Sequence, residues 1–553
     1  MRSGRRGLWL VALAALSLGC GASPAAHHAA GAAVPSGPPP LFEDLGHHHR
    51  PVTTTSPRAQ AYFDQGLRLV YAFNHVEGQR AFEEAARLDP SCAMCFWGIA
   101  LCHGSNYNSP TDAERERAAT RAVQAAQALA ARGTDVERAL IAALARRHAP
   151  ADASRVSLDR TYADAMREVA QRFPADLDAG TLFADALMNL RPWDLWTIDG
   201  QPEPGTLEAV AALERVLAAN PDHPGANHLY IHAVEASPRP QRATAAADRL
   251  AGLMPGAGHM VHMPSHIYFR IGRYEDARLV NERAVAADRT YFTKSRPSPI
   301  YQGMYHPHNI DFIWHAAGME GRSADAIRAA RQLAAAAPVD VVQSMPDMET
   351  MPAAPLGALA RFGRWEEILR EPAPPAGFLY VTGVWHHARG LAYLRTGRPG
   401  EATRELAALR ALTERVPAER TVAGFFKTAD MLRLAGEVLA AEIAAQAGHV
   451  DEAVRRLTEA AGMQDRHWFT EPPPWYAPVR HTLGAVLLEA RRPVEAEAVY
   501  QDDLRRNPGN GWSLVGLTQA LRAQQRLVEA QGMQGRFSLA WARADVSITR
   551  SRY

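Results

Sequence analysis

The chain has 553 residues, 47% hydrophobic and 22% charged, which is ample apolar material for a buried core. Its 60 Lys and Arg balance 59 Asp and Glu, excluding a protein that grips nucleic acid through a continuous basic field. Four Cys exclude a disulfide-stapled scaffold, and the prevalence of Ala, Leu, Arg and Glu over alternating Val, Ile and Thr excludes an ordinary β protein.

The chain opens with Arg2, Arg5 and Arg6 before an apolar run from Leu8 to Leu18 that ends at Gly19-Cys20. This is the layout of a secretory signal, and the run is too short for a resident transmembrane helix. Leu16-Ser17-Leu18-Gly19-Cys20 resembles a bacterial lipoprotein cleavage box, with Leu one place earlier than the commonest pattern. That resemblance implies lipidation of Cys20, and Gly21 after it implies sorting to the outer membrane. A plain cleaved signal peptide is the alternative. Either way the protein is expected in the cell envelope, touching membrane only through its anchor.

Residues 21–57 are rich in Ala, Pro, Gly and His without an apolar period and read as a flexible linker. His27, His28 and His47 to His49 fall in it, a tract able to catch metal weakly but read as solvated.

Beyond residue 58 the sequence repeats. GRYEDA from Gly272, GRSADA from Gly321, GRWEEI from Gly363, GRPGEA from Gly397 and GHVDEA from Gly448 share one pattern. Asp89-Pro90, Asn220-Pro221 and Asn507-Pro508 punctuate helix ends, and both Gly363 to Gly397 and Ala243 to Ala277 span 34 residues. The pattern resembles the tetratricopeptide repeat, two antiparallel helices joined at a Gly turn. The resemblance implies an all-α right-handed superhelical solenoid whose first helices line a concave groove. We divide it into N-terminal helical repeats (58–200), His-bearing repeats (201–415) and C-terminal repeats (416–553).

Nine of the 22 His fall within residues 223–315. With the turn Gly of each repeat numbered 15, His228 and His262 take position 5, and His232 and His266 take position 9. His259 and His308 share position 2; Asp311 takes position 5 and His315 position 9 of the next repeat; His387 and His481 also take position 5. In tetratricopeptide proteins these positions face ligand. An i, i+4 pair lies on one helix stripe, and stacked repeats bring stripes side by side. His228, His232, His262 and His266, with His308, Asp311 and His315 nearby and Glu235, His259 and His387 as further candidates, therefore form a donor set for copper or zinc. Two metals, or one metal with outer His, both fit. Pro264 is expected to turn His259 off the stripe.

Cys92 and Cys95 at a helix start, with Cys102 and His103 further along, form a second candidate cluster: a soft-metal site, a redox pair, or merely oxidised or buried thiols. Met345, Met348 and Met351 read as core or soft interface and favour copper over zinc. The aromatic stretches Trp193–Trp196 and Trp468–Trp475 read as packing. The strings AMCFWGIAL, NHLYIHAVEAS and GHMVHMPSHIYFRIGRY resemble those of a group of uncharacterised bacterial exported tetratricopeptide proteins, which implies the fold and no activity. Two function classes follow: a metal-binding solenoid or metalloenzyme with an open coordination position, and an envelope scaffold whose groove grips a peptide or protein. Groove positions carrying His and Asp, where a carboxylate clamp needs Lys, Arg and Asn, favour metal.

Overall fold

Each turn glycine lies just past a helix end with its backbone in the left-handed region: Gly272, Gly321, Gly363, Gly397 and Gly448 have φ between 65° and 83°. The next amide then reaches back into the preceding helix, Arg273 to the Tyr268 carbonyl (2.8 Å) and Arg398 to that of Tyr393 (2.8 Å). That closure reverses the chain and sets the following helix antiparallel. Phe73, Arg491 and Gln525 make the same turn without glycine, at φ of 53°, 59° and 61°. A side chain there costs about 1 kcal/mol. Arg491 and Gln525 are exposed, whereas Phe73 is buried.

The computed structural model describes residues 38–148, 154–466 and 469–553, and over them the protein is an all-α solenoid of helical repeats. The first pair is Pro57–Tyr71 with His75–Leu88, and the last is Gly511–Ala523 with Leu527–Ala540. A large ring on a second helix wedges between glycines of successive first helices. Phe82 sits between Gly66 and Gly98, and Tyr500 between Gly484 and Gly516, where any Cβ would fall within 2.8 Å of the ring. The His-bearing region comprises Pro224–Glu235 with Thr244–Leu253; Gly258–His262 and Pro264–Arg270 with Tyr274–Lys294; and His306–Glu320 with Ser323–Ala335. Thr421–Val422 and Phe426–Lys427 form a short antiparallel hairpin. No helix among the described residues is long and apolar enough to cross a membrane.

The linker expected through residue 57 is not free over its last part. Arg50 pairs with Asp176 (2.7 Å) and Asp178 (3.2 Å), His48 with Asp178 (2.9 Å), and the Tyr62 hydroxyl donates to the Pro39 carbonyl (2.9 Å). These partners lie up to 130 residues away, which local composition does not reveal. At the other end, residues 541–553 run across the turn ends of several repeats. Trp541 packs on the Gly321 and Gly511 backbones, Ser551 donates to the His481 carbonyl (2.6 Å), and Arg395 donates to the Tyr553 carbonyl (3.0 Å).

Candidate metal centre

Pro224 opens its helix at a position that needs no amide hydrogen, and His223 caps it through Nδ1, which accepts from the Ala226 amide (3.1 Å). All twelve residues of Pro224–Glu235 are buried, so His228 and His232 lie one turn apart in the interior. His262 and His266 follow in the next repeat. The chain stays helical through Met263, so Pro264 does not turn His259 away; the His259 ring centroid lies 4.9 Å from that of His228. The expected displacement of His259 is thus corrected: proline at the first position of a helix is compatible with continuing the turn before it.

The four paired His do not gather around one point. His228, His232 and His259 form one set, and His262, His266 and His308 a second, each with donor atoms within 4.8 Å of one another. Each i, i+4 pair is completed by the position-2 His of the following repeat. Between sets, His232 lies 5.5 Å from His266 and His259 lies 5.8 Å from His262, ring centre to ring centre, so the sets abut.

Oxygen partners orient the rings. The Nδ1–H of His228 donates to the Tyr71 carbonyl (2.5 Å), that of His232 to Glu235 Oε1 (2.9 Å), that of His262 to Asn281 Oδ1 (2.6 Å) and that of His266 to Glu235 Oε2 (2.6 Å). Asn281 is itself oriented, its amide donating to the Ala277 carbonyl (2.7 Å). In the neutral rings of His228, His232 and His262 the oxygen fixes the proton on Nδ1 and leaves Nε2 as a bare lone pair, the arrangement found behind metal-ligating imidazoles. Nε2 of His228 and His232 and both nitrogens of His259 are buried without a hydrogen-bond partner among the described residues. Buried lone pairs left this way are rare. In the second set, Nε2 of His262 and Nε2 of His266 face each other at 2.8 Å, where the Nε2–H of His266 donates to the bare Nε2 of His262.

Burial pushes the His228 ring down to about 3, and burial with the neighbouring His266 pushes His308 to about 4. Burial followed by mutual crowding holds His232, His259 and His262 well below the usual range. Five rings are therefore neutral at pH 7, the form a metal needs. Burial opposes charge on His266 as well, but Glu471 and Glu235 raise it to about 10. Burial and then Glu471 push the Glu235 carboxyl upward.

Rings close the site. Phe73 lies 4.4 Å from His228 and stacks on His232 (5.8 Å) and His259 (5.6 Å); Tyr107 lies 4.8 Å from His232, Tyr305 4.7 Å from His259, and Phe312 stacks on His266 (5.3 Å). Tyr305 arrives on a π-helical turn, Tyr301–Tyr305, immediately before His306–Glu320. His308 alone among the six is partly exposed.

Other candidates are used elsewhere. Asp311 accepts from the Trp314 indole (2.6 Å) and pairs with His315 (3.2 Å), so neither belongs to a set. His387 donates through Nδ1 to the Ala435 carbonyl (2.9 Å) and faces the Tyr476 hydroxyl (3.1 Å); His481 pairs with Asp503 (2.9 Å). Position 5 thus holds ligand-ready rings in two repeats and hydrogen-bonded ones in two others. Cys92 and Cys95 form a disulfide and Cys102 is a buried thiol pushed up by burial, the oxidised-and-buried alternative of the three, with His103 half-exposed beside them. Met345 is exposed, while Met348 and Met351 pack in apolar clusters. Cys20, His27 and His28 lie outside the described residues.

Sequence reasoning missed Glu471, Asn281 and Phe73. Glu471 contacts His266 from a segment more than 200 residues downstream, inside the aromatic stretch read as packing. Its charge among apolar neighbours (FTEPPPW) was the only local signal. A third group, His48, Asp178 and His223, also has metal-like geometry. Because His223 Nδ1 accepts from an amide, its Nε2 carries the proton and donates to Asp178 (3.1 Å). The Tyr71 hydroxyl donates to the same carboxylate (2.5 Å), so this group is a structural hub.

His387 sets a pH dependence separate from the metal sets. Burial pushes it down to about 4, so the native chain refuses a proton that the unfolded chain accepts at about 6.5. Its contribution is present above 6.5 and lost as pH falls from there toward 4, about 3 kcal/mol in all. Urea unfolding at pH 7 and pH 4.5 should show this loss, and His387→Gln should shrink the difference. An unaltered difference would contradict it.

No family model and no curated protein matches the chain. Among solved structures it is similar to a human IFIT1 dimer with m7Gppp-AAAA (12% identity over 89% of this chain and 92% of that one, TM-score 0.30). It is also similar to the APC/C hetero-tetramer Cut9-Hcn1 (12%, 88% and 76%, TM-score 0.28) and to yeast Tom70 (10%, 87% and 90%, TM-score 0.29).

Proposed function

We propose that this helical-repeat protein binds two transition-metal ions, one in each three-His set, with copper preferred over zinc. The observation that carries the reading is the set of inward imidazole nitrogens, three of six fixed as Nε2 lone pairs by oxygens behind them and three rings left with unpartnered buried nitrogen. Three neutral imidazoles hold a divalent or monovalent ion and leave a coordination position open. Copper is preferred because an all-nitrogen donor set binds Cu(II) more tightly than Zn(II) in the Irving–Williams order. Metal analysis of protein prepared without a His tag should find about two ions per chain; a chain that retains none after loading and desalting refutes the reading.

Phe73 acts as the lid. Phe73→Gly relieves the left-handed backbone, about 1 kcal/mol, and loses ring burial worth about 3 kcal/mol. A chelator should strip copper at least about tenfold faster from this variant while its helix content holds. Equal stripping rates would remove Phe73 from that role.

We also propose export and anchoring through Cys20, supported by the basic start, apolar run and Gly19-Cys20 box. Cys20→Ser should move the protein from the membrane fraction to the soluble envelope fraction; unchanged retention and mass would exclude lipidation.

A further inference from the structure

We infer that the N-terminal segment, residues 39–54, is a latch on the first His set, with Arg50 as its positioning residue. Docking of the segment orders the turn at residues 71–73 that orients and covers His228, His232 and His259; metal in that set holds the segment down in return. This rests on the metal reading above and goes beyond it in naming what controls one of its two sites.

The segment lies against the first repeats and is held mainly by its backbone. Gln65 accepts from the Phe42 amide (2.8 Å) and donates to the Pro40 carbonyl (2.9 Å). Gln60 does the same with the Val52 amide (3.0 Å) and the Arg50 carbonyl (2.8 Å). Within it only Pro39, Leu45 and Arg50 are buried. A stretch that buries so little apolar surface opens more readily than the helices beneath it, so docked and lifted forms are its two states.

Arg50 is where the segment meets the site. Its guanidinium donates to Asp176 (2.7 Å) and Asp178 (3.2 Å), and Asp178 also accepts from the Tyr71 hydroxyl (2.5 Å). The Tyr71 carbonyl in turn accepts from Nδ1–H of His228 (2.5 Å). Two residues on, the Phe73 ring lies against all three rings of the first set. Among the described residues, no hydrogen bond or ring contact joins this turn to His262, His266 or His308, so the path serves one set alone.

The turn itself is not close-packed. A cavity of about 10 Å³ separates Leu69, Ala72 and Asn74 from Phe42 and Leu45 of the segment, and one of about 20 Å³ lies on the side of Tyr71 and Phe73. Each is the size of a water molecule and leaves the turn incompletely supported on two sides. Arg50, through Asp178, supplies the support that packing does not. Coupling of this kind is reciprocal: the factor by which docking raises metal affinity is the factor by which metal favours docking.

The experiment follows amide exchange in the full chain, first metal-free and then loaded with copper. The Phe42, Arg50 and Val52 amides, bonded to Gln65, Asp64 and Gln60, should exchange at least about tenfold more slowly in the loaded chain. The Arg398 amide, which closes a remote turn, should not change. Chelator competition then separates the sets. In a His308→Ala background, which keeps the first set's ion, Arg50→Ala should lower copper affinity at least about tenfold. In a His259→Ala background, which keeps the second set's ion, it should change affinity less than about twofold. Arg50→Lys should recover part of the loss, since one of the two ion pairs can re-form. Exchange that is equal with and without copper, or equal weakening of both sets, overturns the latch and leaves the metal reading standing. A chain that retains no copper overturns both. If Arg50→Ala does not fold, the exchange comparison on the unaltered chain decides alone.

Discussion

Replacing His232 and His266 together by Ala should leave the chain without stoichiometric metal, because the two residues belong to different sets and each set retains only two imidazoles. The single replacements should each remove about one of two ions, which separates two sets from one shared site. Where free metal exceeds its dissociation constant a thousandfold, binding contributes about 4 kcal/mol of native stability per site, and the double variant loses this. In excess chelator, wild type and variant should differ much less, by the packing of two rings alone. The helices should persist, since capping and turn closure lie outside these positions. Metal content that survives the double replacement would place the ions elsewhere.

Glu235→Gln should weaken both sets while barely changing shape. Glu235 accepts from Nδ1–H of His232 and of His266. A glutamine offers one acceptor oxygen and presents an N–H to the other ring. That ring must then turn its proton onto Nε2, where the ion binds, or leave two donors facing each other. Loss of such an orienting partner costs about 10- to 100-fold in metal affinity. Glu235→Ala leaves two buried donors without acceptors, about 1–3 kcal/mol for each. Competition against a copper chelator measures the first effect, and urea unfolding in chelator the second. Unchanged affinity in Glu235→Gln would mean that the rings do not present Nε2 inward.

The fold was legible because its determinants are local. Gly272, Gly321, Gly363, Gly397 and Gly448 mark positions that demand left-handed backbone, and each adopts it. The His register was legible for the same reason: i, i+4 on a helix and one repeat length between helices are geometric constants of the repeat. Phe73 breaks the glycine rule where its ring covers three His, so a local misfit marked a functional position.

What the sequence determined by itself is therefore the helical array and the inner-stripe positions of five imidazoles, while His259, expected off its stripe, was returned to it by the structure. Tertiary structure alone decided how those six divide. Position 2 of one repeat completes the pair of the repeat before it, a consequence of how successive first helices are offset on stacking. It also decided which position-5 His is a ligand and which is hydrogen-bonded, since Ala435 and Asp503 reach His387 and His481 from other helices. Cys92 and Cys95 were settled by a short-range approach that their spacing allowed but did not require. Glu471 reaches His266 only because the solenoid curls until distant repeats meet. A contact closed across such a separation leaves no periodicity in the chain, and the apolar neighbours of Glu471 do not say which residue it meets.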